Sequence, residues 1–181
     1  MRENARRFII EIMTDPRYPI GKFVYTPFTD ESARQATISE IRDLPKQLAA
    51  AVAGMSDEQL DRPYREGGWT IRQLVHHVAD SHMNAFVRFR LGLTEDKPTI
   101  KPYDEKRWAE LPDSSLPIDV SLGILERLHH RWTVMLELTP VEAFSRELIH
   151  PESGSMSIDK LLQLYSWHGR HHLAHVTNAP R

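Results

Sequence analysis

The sequence predicts an all-α protein: a four-helix bundle with one long crossover connection and an N-terminal arm. Three observations carry this. Four long stretches repeat apolar residues at helical spacing, almost none alternates as a strand would, and a proline-studded segment separates the second helical stretch from the third. A chain of 181 residues with 40% hydrophobic content suits one domain with a single substantial core.

Residues 1–27 read as an arm outside the bundle, and residues 28–181 as the bundle itself. In the arm Asp15-Pro16, Tyr18-Pro19 and Thr26-Pro27 forbid a continuous helix, because the residue before proline is pushed out of helical backbone geometry. The first helix is expected from about Ser32 to Ala53 on Ile38, Ile41, Leu44, Leu48 and Val52, with Pro45 inside it as a source of kinking. The second follows the Gly67-Gly68 break, with Thr70 as cap, Gln73 completing a capping box and Trp69 with Leu74 as a staple, and it runs to about Leu93. The crossover from Thr94 to Pro117 carries Pro98, Pro102 and Pro112, so part of its path lacks regular structure. The third helix covers about Val120 to Leu138, and the fourth starts at Ser157 and ends near Val176. Ser56-x-x-Gln59 and Thr139-x-x-Glu142 are expected to head one-turn helices, and Leu148 to Met156 to form an extended or hairpin piece.

Composition narrows the chemistry. A net charge of -2 with intermixed signs gives no field that would recruit nucleic acid or an anionic membrane, and neither is expected as a partner. The chain has no cysteine, so there is no disulfide framework, thiolate metal site or protein-borne thiol nucleophile. Any metal must sit on His, Asp or Glu. The apolar run Phe8-Ile9-Ile10 is too short for a signal-peptide core, and the expected location is the cytoplasm.

The histidines concentrate the functional signal. In Trp167-His168-Gly169-Arg170-His171-His172, the pair His168 and His172 stands four residues apart, on one helical face, where it can grip one ion. Helical phase puts both on a border of the apolar face set by Ile158, Leu161, Leu162, Tyr165 and Val176; His175 lies just beyond and His171 points toward solvent. A third ligand must come from elsewhere, and the doublet His76-His77 opens the second helix. Phase alone centres that helix's apolar face on His82, leaves His77 on a flank with Ser81, Asn84 and Arg88, and places His76 on the surface. His129 falls in the apolar stripe of the third helix as a structural residue or a support for the ligands, and His130 falls outside it.

The segment Pro63 to Asn84, with Gly67-Gly68-Trp69-Thr70 and His76-His77-Val78-Ala79-Asp80, resembles the YfiT-type branch of the DinB-like superfamily. So do Pro102-Tyr103-Asp104-Glu105-Lys106, Leu128-His129-x-Arg131-Trp132 and Trp167-His168-x-x-His171-His172, and the likeness runs from about Tyr18 to the end. The resemblance implies a DinB-type four-helix bundle, usually dimeric, with one divalent ion, zinc or nickel, held by three histidines and completed by water. Carried onto this chain, the ligands are His77, His168 and His172, which leaves His82 in the core or behind the ligands. The arm and crossover are expected to expose Phe23, Tyr25, Phe28 and Trp108, which favours a homodimer.

An open three-histidine site leaves the metal its full charge, so bound water reaches a pKa near ~7 and acts as nucleophile, or a substrate thiol binds and ionises. Related proteins correspond to both options: metal-dependent hydrolases, and S-transferases joining a low-molecular-weight thiol such as bacillithiol to an electrophile. The leading expectation is a hydrolase acting on a small-molecule substrate; a thiol transferase and a non-catalytic protein whose metal only pins helices are the alternatives. Asp80, His82, Asn84, Arg88 and Tyr103 are the polar residues expected to line the pocket, with no general base assigned among them.

Overall fold

Four long helices form the bundle of the computed structural model, which describes residues 15–180: α1 (Glu31–Val52), α3 (Ile71–Thr94), α5 (Asp119–Glu137) and α6 (Ile158–Asn178). Two one-turn helices, α2 (Asp57–Leu60) and α4 (Glu105–Trp108), and an antiparallel hairpin, β1 (Glu147–His150) with β2 (Gly154–Ser157), occupy the connections. Residues 1–14 of the expected arm and Arg181 lie outside the described residues.

Local chemistry sets the helix starts. Asp30 accepts from the Ala33 amide at the head of α1, and Ser157 from the Lys160 amide at the head of α6. Reciprocal capping boxes close the starts of α2, by Ser56 with Gln59, and of α3, by Thr70 with Gln73. Gly67 enters α3 with φ 65°, backbone that a side chain would strain. The expected cap at Thr139 does not form. Its hydroxyl donates back to the Met135 carbonyl, and a 3-10 turn follows at Val141–Ser145 with no side-chain cap.

α1 packs on α5 and α6, and α3 packs on the same two helices. One apolar cluster gathers Ile38, Phe89, Trp132, Phe144 and Ile158, and the other Leu48, Leu74, Val78 and Leu125. These side chains are buried, each worth roughly 1.5–3 kcal/mol of transfer free energy for the aliphatics and Phe. α1 continues through Pro45, whose missing N–H leaves the Ile41 carbonyl without its helical donor.

The crossover is pinned at both ends of its path. Near its start the Ile100 amide donates to the Ile149 carbonyl and the Ile149 amide to Pro98, both at 2.9 Å, which adds a parallel bridge to the hairpin. Further on it turns through α4 and a 3-10 turn at Pro112–Ser115 before it covers the outer side of α3. The arm lies along α6: Gln163 exchanges two hydrogen bonds with the Thr26 backbone, and the Trp167 indole donates to the Gly21 carbonyl at 3.2 Å. This corrects the expected aromatic surface. Phe23 sits against Trp167 and Phe28 packs on the core, so Phe23, Tyr25 and Phe28 are half-buried and only Trp108 is exposed. Among the described residues, no helix is long and apolar enough to cross a membrane.

Candidate metal centre

α3 and α6 meet along a seam of imidazoles. His77 stands two turns into α3, and His168 and His172 stand one turn apart on α6; one ring nitrogen from each lies within 4.8 Å of the others. The ring centroids are 5.4 Å apart for His77 and His168, 4.9 Å for His77 and His172, and 4.5 Å for His168 and His172. Small side-chain rotations bring three such nitrogens to the roughly 2.0–2.1 Å radius of zinc–imidazole bonds. Trp69, just ahead of the α3 cap, rests its ring on His77 at 4.6 Å.

All three are held neutral. Burial lowers the pKa of His77 from 6.5 to about 4. Burial first, then the neighbouring imidazoles, drive His168 and His172 well below the ordinary value. Neutral imidazoles present lone pairs at neutral pH without having to release a proton first. The donor set therefore fits a divalent ion of intermediate softness. His77 and His172 are buried, and His168 keeps partial exposure.

A second trio, His171, His172 and His175, also brings one nitrogen each within 4.8 Å. All three are buried and all come from α6. His172 and His175 oppose their Nδ1 atoms at 3.4 Å, Trp167 stacks on His171 at 4.5 Å, and Tyr64 packs on His175 at 4.2 Å. The set spanning α3 and α6 draws its nitrogens from two helices rather than one, which makes it the candidate centre.

Two expectations for single histidines are overturned. His171 does not point to solvent: Trp167 and Tyr18 of the arm close over it, and it is buried. His76 is not on the surface either, because the returning crossover covers that side of α3. Its Nδ1 lies 2.7 Å from Ser121 Oγ and its Nε2 3.0 Å from the Leu116 carbonyl. Helical phase locates a helix's own apolar face, whereas both burials come from segments distant in sequence. His130 is exposed, as expected.

The expected pocket residues separate into distinct environments. His82 is fully buried between His168 and His129, with ring nitrogens 3.2 Å and 2.9 Å away. Arg88 donates to the Tyr165 hydroxyl at 2.8 Å, and the Tyr165 ring lies 5.9 Å from that of His168. With Tyr103, Glu105, His150 and Glu152, Arg88 lines a cleft of about 420 Å³ between the crossover and the hairpin. The Tyr103 hydroxyl is buried without a hydrogen-bond partner; burial and the charge of Glu105 raise its pKa and keep it protonated. Burial and the nearby Asp113 raise Asp80, and the Asn84 amide folds back onto the Asp80 carbonyl at 2.9 Å, a contact within α3. Ser81, which sequence reasoning placed on the flank without a role, is buried with Oγ 3.5 Å from His168 Nε2. Its spacing of one turn from His77 was the available signal.

Known proteins repeat this arrangement of chain and fold. A relative in Bacillus cereus (strain 03BB102), named "Putative metal-dependent hydrolase", is 54% identical over 167 residues, covering 92% of this chain and 96% of its own. A relative from Bacillus thuringiensis subsp. konkukian with the same designation matches to the same extent. The solved structure of YfiT from Bacillus subtilis, described as a probable metal-dependent hydrolase with an unusual four-helix bundle topology, aligns with a TM-score of 0.88 at 44% identity, covering 91% of this chain and 95% of that one. The DinB superfamily matches residues 40–176, a span that contains His77, His168 and His172 and all four long helices except the first turns of α1 and the last two residues of α6. By sequence and by fold, the chain belongs to the DinB superfamily.

Proposed function

We propose that this chain is a metal-dependent hydrolase in which His77, His168 and His172 hold one divalent ion, zinc or nickel, with one coordination position open. The observation that carries the reading is the convergence of three neutral imidazoles from two helices on one point. The designations of the relatives support the reaction class. When bound, the ion supplies Lewis acidity, polarising a substrate carbonyl and making water nucleophilic near neutral pH.

The chain's own groups do the rest. Tyr103, protonated and without an internal partner, donates a hydrogen bond to the substrate oxygen that gains negative charge. Arg88, at the junction of the cleft and Tyr165, receives an anionic or carbonyl group of the substrate and orients it. The cleft volume of about 420 Å³ suits a small molecule rather than a polymer.

Metal uptake and turnover test this together. Equilibrium dialysis against zinc or nickel should give about one ion per chain, lost in His168→Ala and His172→Ala and kept in His171→Ala. Hydrolysis of an activated ester or amide should require the ion and stop on chelation. Equal metal loss in all three variants would refute the ligand set. Turnover that appears only with an added low-molecular-weight thiol would replace hydrolysis by thiol transfer at the same centre.

A further inference from the structure

A line of hydrogen bonds runs from the middle of α1 to the candidate metal centre, and its direction is forced. Pro45 has no N–H, so the Ile41 carbonyl one turn earlier lacks its helical donor. His129 Nδ1 approaches that carbonyl at 2.6 Å. A carbonyl only accepts, so Nδ1 carries the proton, and in a neutral imidazole Nε2 must then accept. His129 Nε2 faces His82 Nδ1 at 2.9 Å, which makes His82 the donor there and leaves its Nε2 as acceptor. His82 Nε2 faces His168 Nδ1 at 3.2 Å, so His168 donates through Nδ1. Its Nε2 is left with a bare lone pair on the side of Ser81, one turn beyond His77.

We propose that Pro45, through His129 and His82, sets the ring tautomer of His168 so that Nε2 is presented to the metal, which makes His82 and His129 positioning residues of the centre. This rests on the ligand set proposed above only for its last link; the tautomers themselves exist without metal. The alternating donor–acceptor line follows from the Ile41 carbonyl at one end and the ring-to-ring spacing of 2.9 Å and 3.2 Å along it. The fully buried rings of His82 and His129 lie nearly parallel, planes 10° apart and centroids 4.9 Å apart, and their surroundings let neither turn freely.

The test reads tautomers first and affinity second. In the metal-free protein labelled with 15N histidine, long-range proton–nitrogen correlation should show Nδ1–H with bare Nε2 for His129, His82 and His168. Pro45→Ala returns an amide donor to the Ile41 carbonyl, so the three rings should become tautomer mixtures while the bundle stays folded. His82→Leu should weaken zinc binding by about 10- to 100-fold, the usual effect of removing a group that orients a ligand. His82→Gln, whose amide can donate to His129 and accept from His168, should restore most of that loss. Nε2–H on His168 in the parent protein, or pure Nδ1–H tautomers unchanged in Pro45→Ala, would overturn the proposal even if His82→Leu does not fold. A parent protein that takes up no metal but shows the expected tautomers would refute the ligand set and leave the relay standing.

Discussion

Acid should unfold the metal-free protein early, and the size of the effect follows from the buried histidines. His77 and His129 each fall from an ordinary pKa of 6.5 to about 4, because burial penalises the imidazolium. The unfolded chain then binds more protons than the folded one wherever the pH lies between those values. Stability is fully present above pH ~6.5 and is lost as the pH falls toward 4. At pH 5 each of the two groups costs about 2 kcal/mol relative to pH 7, roughly 4 kcal/mol together. His82, His168 and His172, lowered further still, act in the same direction. Set against a typical stability of about 5–15 kcal/mol, such a loss brings the fold near its limit. Urea denaturation followed by circular dichroism, with chelator present, should show the midpoint falling steeply from pH 7 to pH 5. His129→Gln should remove about 2 kcal/mol of that dependence. A difference below about 1 kcal/mol between the two pH values would refute the claim that these rings are held neutral by burial.

Three further outcomes are expected. Tyr103→Phe should lower kcat by roughly 100-fold while metal content stays at one ion per chain, as for loss of one donor to a developing oxyanion; unchanged kcat would remove Tyr103 from that role. Gly169→Ala places a Cβ 2.4 Å from Leu44 Cδ2 and 3.3 Å from its Cγ, and buried Leu44 has little room to yield. Overpacking of about 1–3 kcal/mol then outweighs the ~1 kcal/mol gained in helix propensity, so thermal melting should show a lower Tm; a Tm equal to or above the parent's would refute the close packing of Leu44 on Gly169. Light scattering at micromolar concentration should give twice the 21.0 kDa chain mass. The exposed pairs Met83 with Val87 on α3 and Val120 with Ile124 on α5 offer apolar surface for this assembly, and a monomer mass would exclude it.

The four long helices were legible because each buries one face against the others, and a period of 3.6 residues records that burial directly. Asp30 caps α1, whose first residue Glu31 lies one before the expected Ser32, while Thr70 and Gln73 form the capping box that their spacing implied. Thr139 failed as a cap because a hydroxyl near a helix end can equally bond backward, a choice made by the chain that follows. For the site, the spacing of His168 and His172 was sufficient to put both on one face. The choice between His77 and His82 was not, since phase marks what is deepest and the candidate ligand lies on the flank, where α3 meets α6. Burial of His76 and His171 depended on the crossover and the arm folding over α3 and α6. The partnership of Pro45 with His129 likewise joins residues far apart in the chain. Periodicity within a segment reports that segment's own amphipathic face, whereas which distant backbone covers it, and which carbonyl a buried ring meets, is decided only when the helices pack.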